Sequence, residues 1–258
     1  MWNGKFAFEK SKIIEGDALI KLDLIPDNSI DFICADLPYG KTKNKWDVII
    51  DPEKLWKQVW RIAKPNTAVL FFGQDKFTAM MMLSDKNHRY NIIWEKTTVT
   101  GHLNAKKMPM RCHEDLMIFY KKSPTYNPQK TTGHQRKVST ANHKRNCKKT
   151  SNYGEHGLSS YDSTERYPRS VWKIKTDKQK LSLHPTQKPV ELIERCVLTY
   201  SNEGDVVLNL CSGSGTLAEA CINTNREFIL IEKDPNDFNI GKTRIEKILK
   251  NYELNIIL

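Results

Sequence analysis

The apolar run Ile30-Asp31-Phe32-Ile33-Cys34-Ala35 is followed by Leu55, Trp56, Val59, Trp60 and Ile62 at helical spacing, and then by the run Ala68-Val69-Leu70-Phe71-Phe72-Gly73. Pro52 suits the first turn of the helix and Lys64-Pro65-Asn66 its stop. Strand, helix and strand in this order predict a right-handed βαβ crossover, and therefore an α/β fold around a parallel sheet. The first run leads directly into Asp36-Leu37-Pro38-Tyr39-Gly40. Open α/β sheets hold their ligands at such carboxyl ends. The Asp36 carboxylate can accept a hydrogen bond from an amino group, Pro38 offers a carbonyl without an N–H, and Tyr39 can stack on a flat ring. Together they suit a planar base with an exocyclic amine. An ordinary Pro-containing turn that holds an acid has the same composition.

The C-terminal part repeats the alternation. Pro189 to Tyr200 has helical spacing, Asp205 to Leu210 reads as a strand, and Ser212-Gly213-Ser214-Gly215-Thr216 opens a helix to about Asn223. Glu227 to Ile231 is a further strand ending at Glu232, and Pro235 to Lys250 a final helix. Upstream, Lys12 to Glu15 reads as a strand, Ala18 to Leu24 and Asp75 to Leu83 as helices, and Tyr90 to Trp94 and Leu116 to Tyr120 as two strands around a long polar connection. Gly213-x-Gly215-x-x-Ala218 after a strand, with Glu232 at the end of the next, satisfies the dinucleotide fingerprint. Nicotinamide cofactors and S-adenosylmethionine both need such glycines for close backbone approach and such an acid for ribose hydroxyls.

The 258-residue chain carries a formal charge of +11, which favours a polyanionic partner through counterion release. Much of that excess lies in a block from Lys121 to Thr150 that has no acidic residue and includes Lys144, Arg145, Lys148 and Lys149. Such a block is either a solvated insertion or a nucleic-acid-facing surface. Six cysteines without a C-x-x-C pair read as reduced thiols, and neither a leader nor a membrane-length apolar run is present, so a cytoplasmic protein is expected.

Asp36-Leu37-Pro38-Tyr39, His184-Pro185-Thr186-Gln187-Lys188-Pro189 and Gly213-Ser214-Gly215-Thr216 occur in the order seen in beta-type amino-group DNA methyltransferases, which the chain resembles. Thr100 to Lys107 is similar to phage-borne or restriction-modification members. The resemblance implies a Rossmann-like S-adenosylmethionine-dependent methyltransferase fold with circularly permuted motif order. Residues 1–120 would form the catalytic half, 121–180 a basic target-recognition insertion containing a short strand at 171–174, and 181–258 the cofactor-binding half.

The same resemblance implies roles. Asp36 and the carbonyl of Pro38 would accept the two hydrogen bonds of a target amine, and Tyr39 would stack on the flipped base. Asp17, Lys188, Asn209, Gly213, Ser214, Gly215, Thr216 and Glu232 would surround S-adenosylmethionine, with Lys188 facing its methionine carboxylate, Glu232 its ribose and Asp17 near its adenine. His184 would be structural. Lys106, Lys107, Arg111, Lys144, Arg145, Lys148 and Lys149 would contact double-stranded DNA. No metal takes part, and relatives of this type are often homodimeric.

Adenine N6 is the expected target, because the Asp-initiated motif is commoner there, with cytosine N4 the alternative. Carbon-5 methylation lacks its usual nucleophile, as no cysteine follows a proline. Two readings from other classes remain: a nicotinamide-dependent oxidoreductase, from the glycine fingerprint, and a catalytically silent DNA-binding module. The last is suggested by Leu37, where the family usually has proline, and by Asn209-Leu210-Cys211-Ser212, which replaces a common Asp-Pro-Phe lead.

Overall fold

A computed structural model describes residues 8–41, 44, 47–140, 160–176 and 187–254. The chain divides into a main unit, residues 1–127 and 170–258, and a smaller one, Pro128–Arg169.

The main unit is built on eight strands: β1 (Lys12–Glu15), β2 (Ile30–Ala35), β3 (Ala63–Gly73), β4 (His88–Thr100), β5 (Arg111–Phe119), β8 (Val171–Ile174), β9 (Val206–Asn209) and β10 (Glu227–Glu232). They pair in the order β1-β10-β9-β2-β3-β5-β4-β8. Every pairing is parallel except the two made by β5, which runs against both β3 and β4.

Side chains alternate between the two sheet faces, so each continuously apolar strand feeds two cores. Phe32, Cys34, Leu70 and Phe72 pack with α4 (Val190–Tyr200), α5 (Thr216–Asn223) and Ile245 of α6 (Pro235–Leu254). Ile33, Ala35, Val69 and Phe71 pack on the other face with α1 (Ala18–Lys21), α2 (Pro52–Ile62) and α3 (Asp75–Ser84). The result is a three-layer α/β/α unit. No described helix is long and apolar enough to cross a membrane.

The strand order also locates the site. From β2 the chain goes through α2 to β3 on one side, while from β9 it goes through α5 to β10 on the other. β2 and β9 are themselves paired in parallel, Phe32 with Val207 and Ile33 with Leu208. Their carboxyl ends therefore flank a topological switch point, where such sheets open a crevice. Asp36 follows β2 there, and the glycine turn follows β9.

Several elements differ from the sequence reading. The helix expected from Ala18 to Leu24 is one α-turn followed by a 3-10 turn at Leu22–Leu24. β4 and β5 extend well past their apolar cores, up to the pair Thr100 and Arg111, because ladder hydrogen bonds continue through polar residues. The polar connection shrinks accordingly, with a 3-10 turn at His102–Asn104. Val171–Ile174 is a strand, but of the main sheet: it pairs with β4, and its alternate residues Trp172 and Ile174 are buried.

The smaller unit is consequently shorter than 121–180. It contains the antiparallel pair β6 (Lys137–Ser139) and β7 (Tyr161–Ser163), a bridge between Thr131 and Arg166, and a two-pronged ion pair from Arg136 to Asp162. Lys144, Arg145, Lys148, Lys149 and His184 lie outside the described residues.

Candidate active site

Asp36 leaves β2 with both carboxylate oxygens engaged. Oδ1 accepts the Tyr39 hydroxyl at 2.6 Å, and Oδ2 accepts Lys188 Nζ at 2.6 Å. Leu37, 3 % exposed, packs into the core, so its departure from the family's proline is absorbed by burial. Among the described residues nothing donates to the carbonyl of Pro38. The Tyr39 ring rests on Phe77, centroids 4.7 Å apart, and burial followed by the nearby Asp36 charge raises its pKa well above the usual phenol range. Tyr39 therefore stays a hydrogen-bond donor.

A residue that the sequence reading passed over shapes this turn. Gly40 adopts φ +67°, and the successive backbone N–H groups of Gly40 and Lys41 donate to the two oxygens of Asp47, each at 2.8 Å. Asp47 is 7 % exposed. Asp47→Ala is expected to leave both N–H groups without their charged acceptor and to destabilise the chain by about 1–3 kcal/mol. A thermal melt checks this, and an unchanged midpoint would remove Asp47 from the account.

Lys188 lies just before α4, held between two carboxylates: Asp36 Oδ2 and, at 3.0 Å, Oε2 of Glu114 on β5. Burial favours a neutral amine, but the two carboxylates outweigh it, so the ammonium is retained above its ordinary range. Burial likewise raises Glu114, while Lys188 and Lys96 together bring its pKa below the normal value. The ammonium expected to face a cofactor carboxylate is paired in this structure with Asp36 and Glu114. Beyond Glu114, Gln74 donates to its Oε1 at 2.9 Å, and Arg111 donates to Gln74 Oε1 at 2.7 Å and to Asp75. Arg111, expected on DNA, has its guanidinium in this network. Lys106 and Lys107 are exposed on the connection between β4 and β5.

The glycine turn is supported from behind. Gly213 and Gly215 have φ +51° and +78°, the left-handed region that favours glycine. A Cβ on Gly215 would lie 3.4 Å from Cα of Gly241 on α6, whereas one on Gly213 would meet nothing within 4 Å. Arg244 donates to the Ser214 carbonyl at 3.1 Å and to Ser214 Oγ and Thr216 Oγ1, each at 3.3 Å, while Nε bonds Glu219 at 2.9 Å. Ser214 Oγ also donates to Gln187 Oε1 at 3.0 Å. The side chains of Ser214 and Thr216 thus support the turn from inside. Asn209 Oδ1 accepts the N–H of Cys211 at 3.0 Å, a local Asx turn that shapes the lead to the glycines.

Glu232, 8 % exposed, accepts from Gly213 N at 2.7 Å and from Asp234 N at 2.9 Å, one bond per oxygen. Each oxygen keeps a lone pair, and the buried hydroxyl of Ser212 has no partner among the described residues. Spare acceptors, an unpartnered hydroxyl and open space beside Gly213 fit a ribose-bearing cofactor. Asp17 caps α1 through Leu19 N at 3.0 Å and pairs with Lys233 at 3.0 Å. After desolvation, the charges of Glu232, Asp36 and Asp17, in that order, push the Cys211 thiol up.

The sequence motifs did not mark Asp47, Gln74, Lys96, Glu114, Arg244 or Gly241 as site residues. Glu114 stands in the polar stretch Arg111 to Asp115 just before the apolar run Leu116 to Phe119, and nothing local marks it as buried.

Comparisons agree with this geometry. The DNA methylase family model of N6 and N4 enzymes matches residues 30–243. DNA adenine methyltransferase YhdJ of Escherichia coli K12 is 27% identical over 264 residues, covering 94% of this chain and 85% of the relative. Among solved structures, the M1.HpyAVI–SAM complex superposes with a TM-score of 0.59 at 22% identity, covering 90% of this chain and 98% of that one. PvuII DNA methyltransferase, cytosine-N4-specific, gives 0.64 at 15% identity, with 96% and 93% coverage. The nicotinamide reading of the glycine turn is thereby set aside. With a family match running from β2 to the last helix, the chain belongs to the N6/N4 amino-group DNA methylases.

Proposed function

We propose that the chain transfers a methyl group from S-adenosylmethionine to N6 of a flipped-out adenine in double-stranded DNA. One observation carries this reading: Asp36 stands at the switch point beside the glycine turn, with the Pro38 carbonyl, which accepts no bond among the described residues, two residues away. Bound S-adenosylmethionine supplies an electrophilic methyl on a sulfonium. Glu232 would accept from the ribose hydroxyls, and Gly213 and Ser212 would border the same group.

An exocyclic amine is a weak nucleophile because its lone pair is delocalised into the ring. Two acceptors, Asp36 and the Pro38 carbonyl, draw the amine towards a pyramidal geometry and free that lone pair. The base must leave the duplex to reach them, and Tyr39, its ring steadied by Phe77, offers a stacking face. The adenine-named relative and the Asp-initiated motif favour N6. The N4 reading draws on a fold neighbour at 15% identity, which speaks for architecture alone.

Incubating the chain with duplex DNA and methyl-labelled S-adenosylmethionine, then separating the nucleosides, tests the proposal. Label in N6-methyladenine is expected. Label in N4-methylcytosine would overturn the adenine assignment, and DNA binding without label would favour the silent module.

The target-recognition role falls to the basic segment. Reversing the charges of Lys144, Arg145, Lys148 and Lys149 is expected to weaken DNA binding and flatten its dependence on salt, as phosphate contacts are lost. A titration at several salt concentrations reads both; unchanged affinity and slope would remove the segment from the interface. Lys106 and Lys107 form a second candidate contact.

A further inference from the structure

Glu114 is the most buried acid of the site, 5 % exposed, and has a position that the two-acceptor mechanism does not explain. Its Oε1 receives Gln74 and Lys96, whereas Oε2 lies 3.0 Å from Lys188 Nζ and has no hydrogen bond of good geometry among the described residues. Asp36, Lys188, Glu114 and Lys96 thus form a line of alternating charge, and the side chains of Lys96, Glu114 and Lys188 are all about nine-tenths buried. A buried line of this kind is stable only as a set, since removing one member leaves its neighbour an uncompensated charge.

The consequence falls on Asp36. Its Oδ2 both accepts Lys188 and belongs to the carboxylate that must accept the substrate amine. An ammonium with Asp36 as its only anion would settle wholly on that carboxylate and compete with the amine. With Glu114 at 3.0 Å on the other side, the ammonium is shared and the Asp36 carboxylate is held at a fixed angle. We infer that Glu114 is a positioning residue for methyl transfer, acting through Lys188 to fix Asp36 and to leave lone-pair capacity on its carboxylate for the amine. It touches neither substrate nor cofactor. The inference rests on the methyl-transfer reading above.

A double-mutant cycle tests it: wild type, Glu114→Gln, Lys188→Gln and the double variant, each measured for single-turnover methyl transfer, DNA and cofactor affinity, and thermal melting. Glu114→Gln is expected to slow the single-turnover rate by about 10–100-fold, the scale of a misplaced reacting group. Both affinities should change by less than about threefold. In the Lys188→Gln background the same change should have almost no further effect on the rate, because the route through Lys188 is already gone.

A Glu114→Gln rate equal to wild type overturns the inference. So does an equal fold-loss in both backgrounds, which is what a purely structural Glu114 would give. Should Glu114→Gln melt too low to assay, Glu114→Asp keeps the charge and is expected to recover at least part of the rate; a well-folded Glu114→Asp as slow as Lys188→Gln overturns the inference too. Absence of transfer by the wild type overturns the functional reading itself, a result separate from any of these.

Discussion

Asp36→Ala is expected to abolish methyl transfer while leaving cofactor binding almost intact. In the proposed mechanism the carboxylate is the anionic acceptor at the switch point, and removing one preorganised polar group aimed at a reacting centre lowers kcat by about a hundredfold to a thousandfold. Here the loss should reach the upper end. Tyr39 loses the partner of its hydroxyl at 2.6 Å, and Lys188 loses the nearer of its two anions and is left to Glu114. The cofactor side is separately supported, through Glu232 on Gly213 and Arg244 on Ser214 and Thr216, so the affinity for S-adenosylmethionine should change little. Single-turnover transfer and calorimetric titration separate the two effects. Asp36→Asn retains the shape without the charge and is expected to be nearly as slow. Normal turnover by either variant would sink the two-acceptor mechanism.

Gly215→Val is expected to fail at the other half of the site. At φ +78° a β-branched side chain carries backbone strain of about 1–3 kcal/mol. Its Cβ already touches Gly241 Cα at 3.4 Å and the Gly241 carbonyl at 3.5 Å, so the γ-methyls beyond it press the turn against α6. The turn cannot shift without disturbing the Arg244 bonds to Ser214 and Thr216. We expect weaker S-adenosylmethionine binding by at least about tenfold and a lower melting temperature. Gly133→Val is the control: its φ of +76° gives similar backbone strain, but nothing lies within 4 Å of its Cβ. The control should lower stability alone. Equal cofactor affinity in Gly215→Val and wild type would show that the close contact with Gly241 does not shape the cofactor turn.

Much of this was visible in the sequence because it is local. A run such as Ile30 to Ala35, buried on both faces, announces a central strand, and Gly213-Ser214-Gly215 announces a turn that only glycine allows. The order of the strands was not local. That β5 runs against both neighbours, or that Val171–Ile174 joins β4 across an inserted unit, depends on contacts between distant segments, which periodicity does not report. The site divides the same way. Asp36, Tyr39 and Glu232 stand at strand ends where their neighbours identify them. Asp47, Glu114 and Arg244 act at long range on turns and charges that no nearby residue reveals. The family resemblance puts Lys188 on a cofactor carboxylate, whereas its pairing with Asp36 and with Glu114 on β5 joins distant segments that the motif does not report.

The main unit is tied down by its own residues on either side of the inserted segment. At its entrance Asn127 donates from its backbone to the Thr199 carbonyl at 2.8 Å and from its side chain to the Ser201 carbonyl at 3.0 Å. At its exit Ser170 accepts from Ile93 at 2.7 Å, just before Val171 enters the sheet. Chain exchanged between these fastenings would leave every strand of the eight-stranded sheet in place. The sheet is in that sense a socket, and on the target-recognition role proposed above a relative's insertion grafted between Asn127 and Ser170 is expected to bring a new target sequence to an unaltered Asp36 end.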